Sequence, residues 1–145
     1  MGWSLLFLFA GGLAAGNMIK DSGAAQAIAG LLGSMSLKGG LGTILIIVTF
    51  TSLLSEISSN TAAAAIAVPI TVSLTQSLRL DPIPYVFISI AAFNVAHMLP
   101  TSVRAIPVGH GLTTEYLFKH GVILTLANIL FISLAGYLML SLYTL

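Results

Sequence analysis

Ser55-Glu56-Ile57-Ser58-Ser59-Asn60-Thr61 places six polar or charged side chains and one isoleucine inside an otherwise apolar run. Ser59, Asn60 and Thr61 are residue types that cap a helix N-terminus, and the alanine-rich segment Ala62-Ala63-Ala64-Ala65-Ile66-Ala67-Val68 behind them favours helix. A helix starting there aims its free N–H groups and positive dipole end at the break, which suits an anion. The preceding helix is expected to end at about Glu56 to Ser58, where unpaired carbonyls suit a small cation. Paired half-helix ends of this kind hold substrate and coupling ion in transporters. On the local pattern alone, a serine-rich turn between two membrane helices is the other reading.

Other residues able to do chemistry are few. Arg104 is the only Lys, Arg, Asp or Glu between Pro82 and Thr114. Inside a membrane segment it is either an anion contact or a charge that reaches water or pairs with Glu56. Glu56 is read as a coordinating or proton-carrying carboxylate, or as an acceptor for a backbone donor at the helix end. His97, His110 and His120 lack metal-site spacing. His120 reads as interfacial, and His97 as a packed, hydrogen-bonded histidine or a proton relay. No nucleophile elbow or phosphate loop occurs, so no catalytic set is visible and the chain does not read as an enzyme.

The elements that must position these residues belong in a membrane. Of 145 residues, 57% are hydrophobic and 6% charged, far below the roughly 25% charge of soluble domains. The net charge of +1 argues against nucleic acid, and the absence of cysteine excludes disulfides and thiolate metal sites. Residues 1–19 have the length of a span and carry a small-residue face, Gly11-Gly12 with Ala14-Ala15-Gly16. Residues 24–37 are apolar but short, as in an interfacial or re-entrant helix. Residues 42–54 and 62–78 are the two arms of the central element, the second holding Pro69. A further helix is expected over 85–99, with Pro84 in its first turn. It is followed by a second polar break, Pro100-Thr101-Ser102-Val103-Arg104, and a resumed segment, 105–117. Lys119-His120-Gly121 reads as the next interface and 122–143 as the closing span, anchored by Tyr137 and Tyr143.

Ser55-Glu56-Ile57-Ser58-Ser59-Asn60-Thr61-Ala62 resembles the Ser-Asn-Thr signature of the divalent anion/sodium symporter family, whose members carry dicarboxylates, citrate or sulfate. Leu6-Phe7-Leu8-Phe9-Ala10-Gly11-Gly12-Leu13-Ala14 with Ser22-Gly23-Ala24-Ala25 looks like the glycine-rich helix before that signature. His97-Met98-Leu99-Pro100 and Arg104-Ala105-Ile106-Pro107-Val108-Gly109-His110-Gly111 look like the broken helix after it. The resemblance implies an all-α integral membrane protein: a helical half-repeat with a re-entrant hairpin and a broken transmembrane helix, one transmembrane domain over 1–145. It implies a multi-pass protein of the cell (inner) membrane that holds the end of the second of two inverted repeats. The N-terminal repeat would then come from elsewhere, as expected of a truncated or split reading frame, and the full-length family forms homodimers.

Carried over by position, Ser59, Asn60 and Thr61, with Thr101, Ser102 and Arg104, would face a small divalent anion. Ser55, Ser58, Asn60 and Thr101 would line a sodium site, sodium being the coupling ion and no other cofactor being implied. The family writes its second break as Leu-Pro, two residues, then Thr-Pro-Pro-Asn-Ala. Here it reads Leu99-Pro100-Thr101-Ser102-Val103-Arg104-Ala105, two residues shorter and with Arg104 at the asparagine position. Orientation is read two ways: Lys20, Lys38 and Arg79 place the hairpin face in the cytoplasm by the positive-inside rule, and the resemblance places it outside. The competing functions are an ion antiporter or oxyanion transporter of a related inverted-repeat family, and a membrane fragment that only packs against a partner.

Overall fold

Where each apolar run stops being helical is decided by a handful of capping groups. The computed structural model describes residues 7, 10, 14, 17–18, 21–33, 39–95, 97–100 and 105–143. Among them the elements are all helical: α1 (Ala24–Gly33), α2 (Leu41–Ile57), α3 (Asn60–Ser77), α4 (Pro82–Phe93), α5 (Ala105–Gly109) and α6 (Thr114–Tyr143). Most of the span expected over 1–19 lies outside the described residues, as do Thr101, Ser102 and Arg104.

Gly39 and Gly40 sit at φ 81° and 82°, so the chain turns into α2 through a conformation that L side chains rarely adopt. At the far end of the pair, α3 stops in a Schellman motif. Leu80 N–H donates to the Thr75 carbonyl (2.9 Å) and Arg79 N–H to the Gln76 carbonyl (3.0 Å), with Arg79 at φ 58°. Asp81 then caps α4 by accepting from Ile83 N–H (3.1 Å), and Pro82 opens its first turn. A Cβ placed on Gly39 would lie 3.3 Å from Leu80 Cδ2. The start of α2 therefore meets the end of α3, and the two helices fold back on one another.

α2 packs on α3, α4 and α6; α4 also packs on α3 and α6, and α1 rests on α3. The core gathers Ile44, Ile47 and Val48 of α2, Leu74 of α3, Tyr85, Ile88 and Ala92 of α4, and Ile129 of α6. Spacings of three, four and seven place the contributions of α2 and of α4 each on one stripe. The outer face of α6 is apolar: Ile123, Leu130, Phe131 and Leu142 are each at least 65% exposed. By length and composition one helix, Thr114–Leu142, is able to cross a membrane, and α2 and α4 are shorter apolar helices.

Several boundaries differ from expectation, among them the resumed segment expected over 105–117, which is helical over Ala105–Gly109 and then turns before α6 begins at Thr114. The first break is narrower than 55–61: α2 runs through Ser55 and Glu56 to Ile57, within the Glu56 to Ser58 end expected for it, and α3 begins at Asn60, leaving Ser58 and Ser59 as the link. Nothing in Ser55-Glu56-Ile57 prevents helix, and both polar side chains find partners outside α2. The second break opens earlier than Pro100, because α4 ends at Phe93 with Asn94 as its C-cap. His97 thus lies within the connection, not on a helix before it. The last helix starts at Thr114, not at residue 122, so Lys119, His120 and Gly121 are helical. Thr113 caps it by accepting from Tyr116 N–H (3.4 Å), and Glu115 in the first turn complements the dipole.

Candidate functional site

The link between α2 and α3 is built from side chains that satisfy helix ends. Ser59 Oγ accepts from Ala62 N–H (3.3 Å), and Ser59 carbonyl accepts from Ala63 N–H (2.8 Å), closing the first turn of α3. Ser58 Oγ donates back to the Leu54 carbonyl (2.7 Å) at the end of α2. Two helix termini thus meet at a two-residue tip, the positive end of α3 facing the negative end of α2.

Around that tip the structure brings together Ser55, Ser58, Ser59, Asn60 and Thr61. Ser55 is fully buried, while Ser59 and Asn60 are exposed. Ser55 Oγ lies within hydrogen-bond reach of both the Phe93 carbonyl and Asn60 Oδ1, the latter at 3.1 Å. A hydroxyl has one proton, so it donates to one of these at a time. Asn60 Nδ2 donates to Asn94 Oδ1 (3.4 Å), and Asn94 Nδ2 donates to the Ile90 carbonyl (2.8 Å). Four oxygens from three helices therefore gather at the tip: Ser55 Oγ, Asn60 Oδ1, the Phe93 carbonyl and Asn94 Oδ1. Hard neutral oxygens of this kind suit an alkali cation, and exposed amide and hydroxyl donors suit a carboxylate. Among the described residues there is no cluster of three His, Asp or Glu to hold a transition metal.

Asn94, which the structure places at this tip, is a residue that the sequence reading missed. The signal available was a lone amide in an apolar stretch, at the position where α4 ends. A polar seam below the tip was missed as well. Thr51 Oγ1 and Ser89 Oγ share a buried hydrogen bond (3.2 Å), and Ser52 Oγ donates to the Ala92 carbonyl (3.4 Å).

Of the two readings of Glu56, the structure shows the acceptor for backbone donors. Its carboxylate accepts from the N–H groups of His97 (2.6 Å), Met98 (3.0 Å) and Leu99 (3.2 Å) and from Thr125 Oγ1 (3.0 Å). His110 and His120 are exposed, each with Nδ1 on the carbonyl four residues back (2.8 and 3.0 Å). His120 also stacks on Tyr116 at 4.0 Å between ring centroids.

Residues 1–92 match the citrate transporter family. An uncharacterized transporter of Haemophilus influenzae is 36% identical over 140 residues, 94% of this chain and 30% of that protein. A sodium-dependent dicarboxylate transporter, SdcS, of Staphylococcus saprophyticus is 36% identical over 111 residues, 75% of this chain and 21% of that protein. The sodium-dependent low-affinity dicarboxylate transporter 1 of Caenorhabditis elegans is 30% identical over 100 residues, 69% of this chain and 17% of that protein. The chain thus spans less than a third of the length of these curated relatives.

Proposed function

The chain belongs to the citrate transporter family, a family of membrane transporters and not of enzymes, and from that membership we propose that it forms one wall of the binding site of a sodium-coupled symporter for small dicarboxylates. The observation that carries the reading is the tip, where Asn60 bridges Ser55 of α2 and Asn94 of α4 at the meeting point of two helix ends. Ser59, Asn60 and Thr61 offer donors to a substrate carboxylate. Ser55, Ser58, Asn60 and the Phe93 carbonyl offer oxygens to sodium. By sequence, Thr101, Ser102 and Arg104 complete the opposite wall.

In this reading α2 and α3 are the arms of a re-entrant hairpin, and α4 with α5 is a helix broken at membrane depth. Non-helical backbone there is tolerated because it lines a cavity. The protein is multi-pass in the cell membrane. The N-terminal repeat, which supplies the other half of the binding site, belongs to the part of the relatives' length that this chain does not span, and the complete transporter is a homodimer.

Asn60→Ala tests the reading, in an assembly reconstituted with the remaining repeat. Alanine keeps the helix and removes both the carbonyl oxygen and the amide donor. Sodium-driven dicarboxylate uptake is expected to vanish while expression and thermal stability hold. Uptake unchanged by the substitution removes Asn60 from the site. Uptake that is independent of sodium in the unaltered assembly favours the antiporter or oxyanion reading instead.

A further inference from the structure

Glu56 is 2% exposed, whereas Asp21, Asp81 and Glu115 are all exposed. On one side it borders an apolar cavity of about 370 Å³ lined with it by Phe50, Leu53, Leu54, Met98, Leu99 and Phe118. A carboxylate against hydrocarbon has lost its water shell, and protein donors must replace it. They do. Oε1 accepts from His97 N–H and Thr125 Oγ1, and Oε2 accepts from Met98 and Leu99 N–H. Three consecutive backbone N–H groups converging on one anion form a nest, and they belong to a segment with no helical hydrogen bonds of its own. α6 closes the arrangement from behind. A Cβ at Gly121 would collide with the His97 carbonyl, so the α6 backbone presses directly on the segment that Glu56 holds.

We infer that Glu56 is a positioning residue: its carboxylate latches the 97–99 backbone to the end of α2, four residues from Asn60, and so fixes the connection that follows Phe93 and Asn94, whose oxygens stand at the tip. The latch itself stands on the hydrogen bonds; its effect on ion binding rests on the function proposed above. Gln at this position replaces one acceptor oxygen with an NH₂ that opposes the donors of the nest. Val at 125 removes one donor and leaves the nest intact.

The chain contains no cysteine, so a single introduced thiol reports the state of the segment. The full chain, in proteoliposomes, is labelled with a water-soluble maleimide at Leu99→Cys, and at Leu74→Cys in the core as a control. In choline buffer, Leu99→Cys is expected to label about tenfold faster in Glu56→Gln and a few-fold faster in Thr125→Val, with Leu74→Cys protected throughout. Replacing choline by sodium is expected to slow Leu99→Cys labelling in the otherwise native chain and to lose that effect in Glu56→Gln. Equal rates in choline with and without Glu56→Gln overturn the latch. Equal acceleration at Leu74→Cys overturns it too, since Glu56 would then hold the whole fold and not this segment. If Glu56→Gln does not fold, the same paired comparison in Thr125→Val decides. A sodium effect that survives intact in Glu56→Gln overturns the positioning role. No sodium effect in the native chain overturns the ion site proposed above, a failure separate from that of the latch, which the choline rates judge alone.

Discussion

A single missing side chain, at Gly121, shows how tightly the site is built. A Cβ there would stand 2.7 Å from Met98 Cα, a backbone atom that cannot swing aside. Gly136 is the useful contrast, because a Cβ at that position would meet the end of the Ile88 side chain, at 2.8 Å from its Cδ1, and Ile88 can change rotamer. Gly121→Ala is expected to destabilise by about 1–3 kcal/mol and Gly136→Ala by clearly less, read as the loss in thermal midpoint in detergent. At this scale the sequence was legible where partners are local. Ser59 announces itself as a cap because the N–H that it accepts from lies three residues on. Asn94 and the donors of Glu56 were hidden because their partners lie 34 to 69 residues away, and one sequence carries no pairing information across that distance.

Among the elements, the α2–α4 contact is unusual for helices that read as apolar: Thr51, Ser52 and Ser55 face Ser89 and the carbonyls of Ala92 and Phe93. Small hydroxyl residues let two backbones approach and tie them with interhelical hydrogen bonds where lipid offers no hydrophobic drive. Thr51→Val leaves the Ser89 hydroxyl buried without Thr51, and Ser89→Ala does the converse; each is expected to cost about 1–3 kcal/mol. The double variant removes both polar groups and is expected to cost less than the sum, which denaturant titration of all four proteins checks. The elements themselves were legible in existence and order. Their ends were misplaced where polarity was taken for a break: Ser55 and Glu56 stay helical because their side chains are satisfied by α4 and its connection, and Lys119-His120-Gly121 stays helical because Thr113 starts α6 earlier. Conversely α4 stops at Phe93, although the apolar pattern runs on to Leu99, because Glu56 and not a further helical turn takes up the N–H groups of 97–99.

For the molecule as a whole, the apolar outer face of α6 and the open tip both call for surroundings beyond this chain. Substrate sites of inverted-repeat transporters lie at the interface between repeats, and the chain spans under a third of its curated relatives. Purified chain in liposomes is therefore expected to show no saturable dicarboxylate flux, measured as sodium-driven uptake of labelled substrate; saturable flux would mean that two copies, inserted antiparallel, supply both walls. The latch also dictates an order of events at the ribosome. Glu56 emerges 41 residues before its first backbone donor and 69 before Thr125. At synthesis rates of about 5–20 residues per second, the carboxylate waits roughly 3–14 s for the last of these partners. During that interval the charge at the end of α2 has to remain hydrated or be held by the insertion machinery, so α2 and α3 cannot reach their final depth as an independent unit. The tip is committed only when α6 arrives, so a helix made some seventy residues later completes the burial of the end of α2.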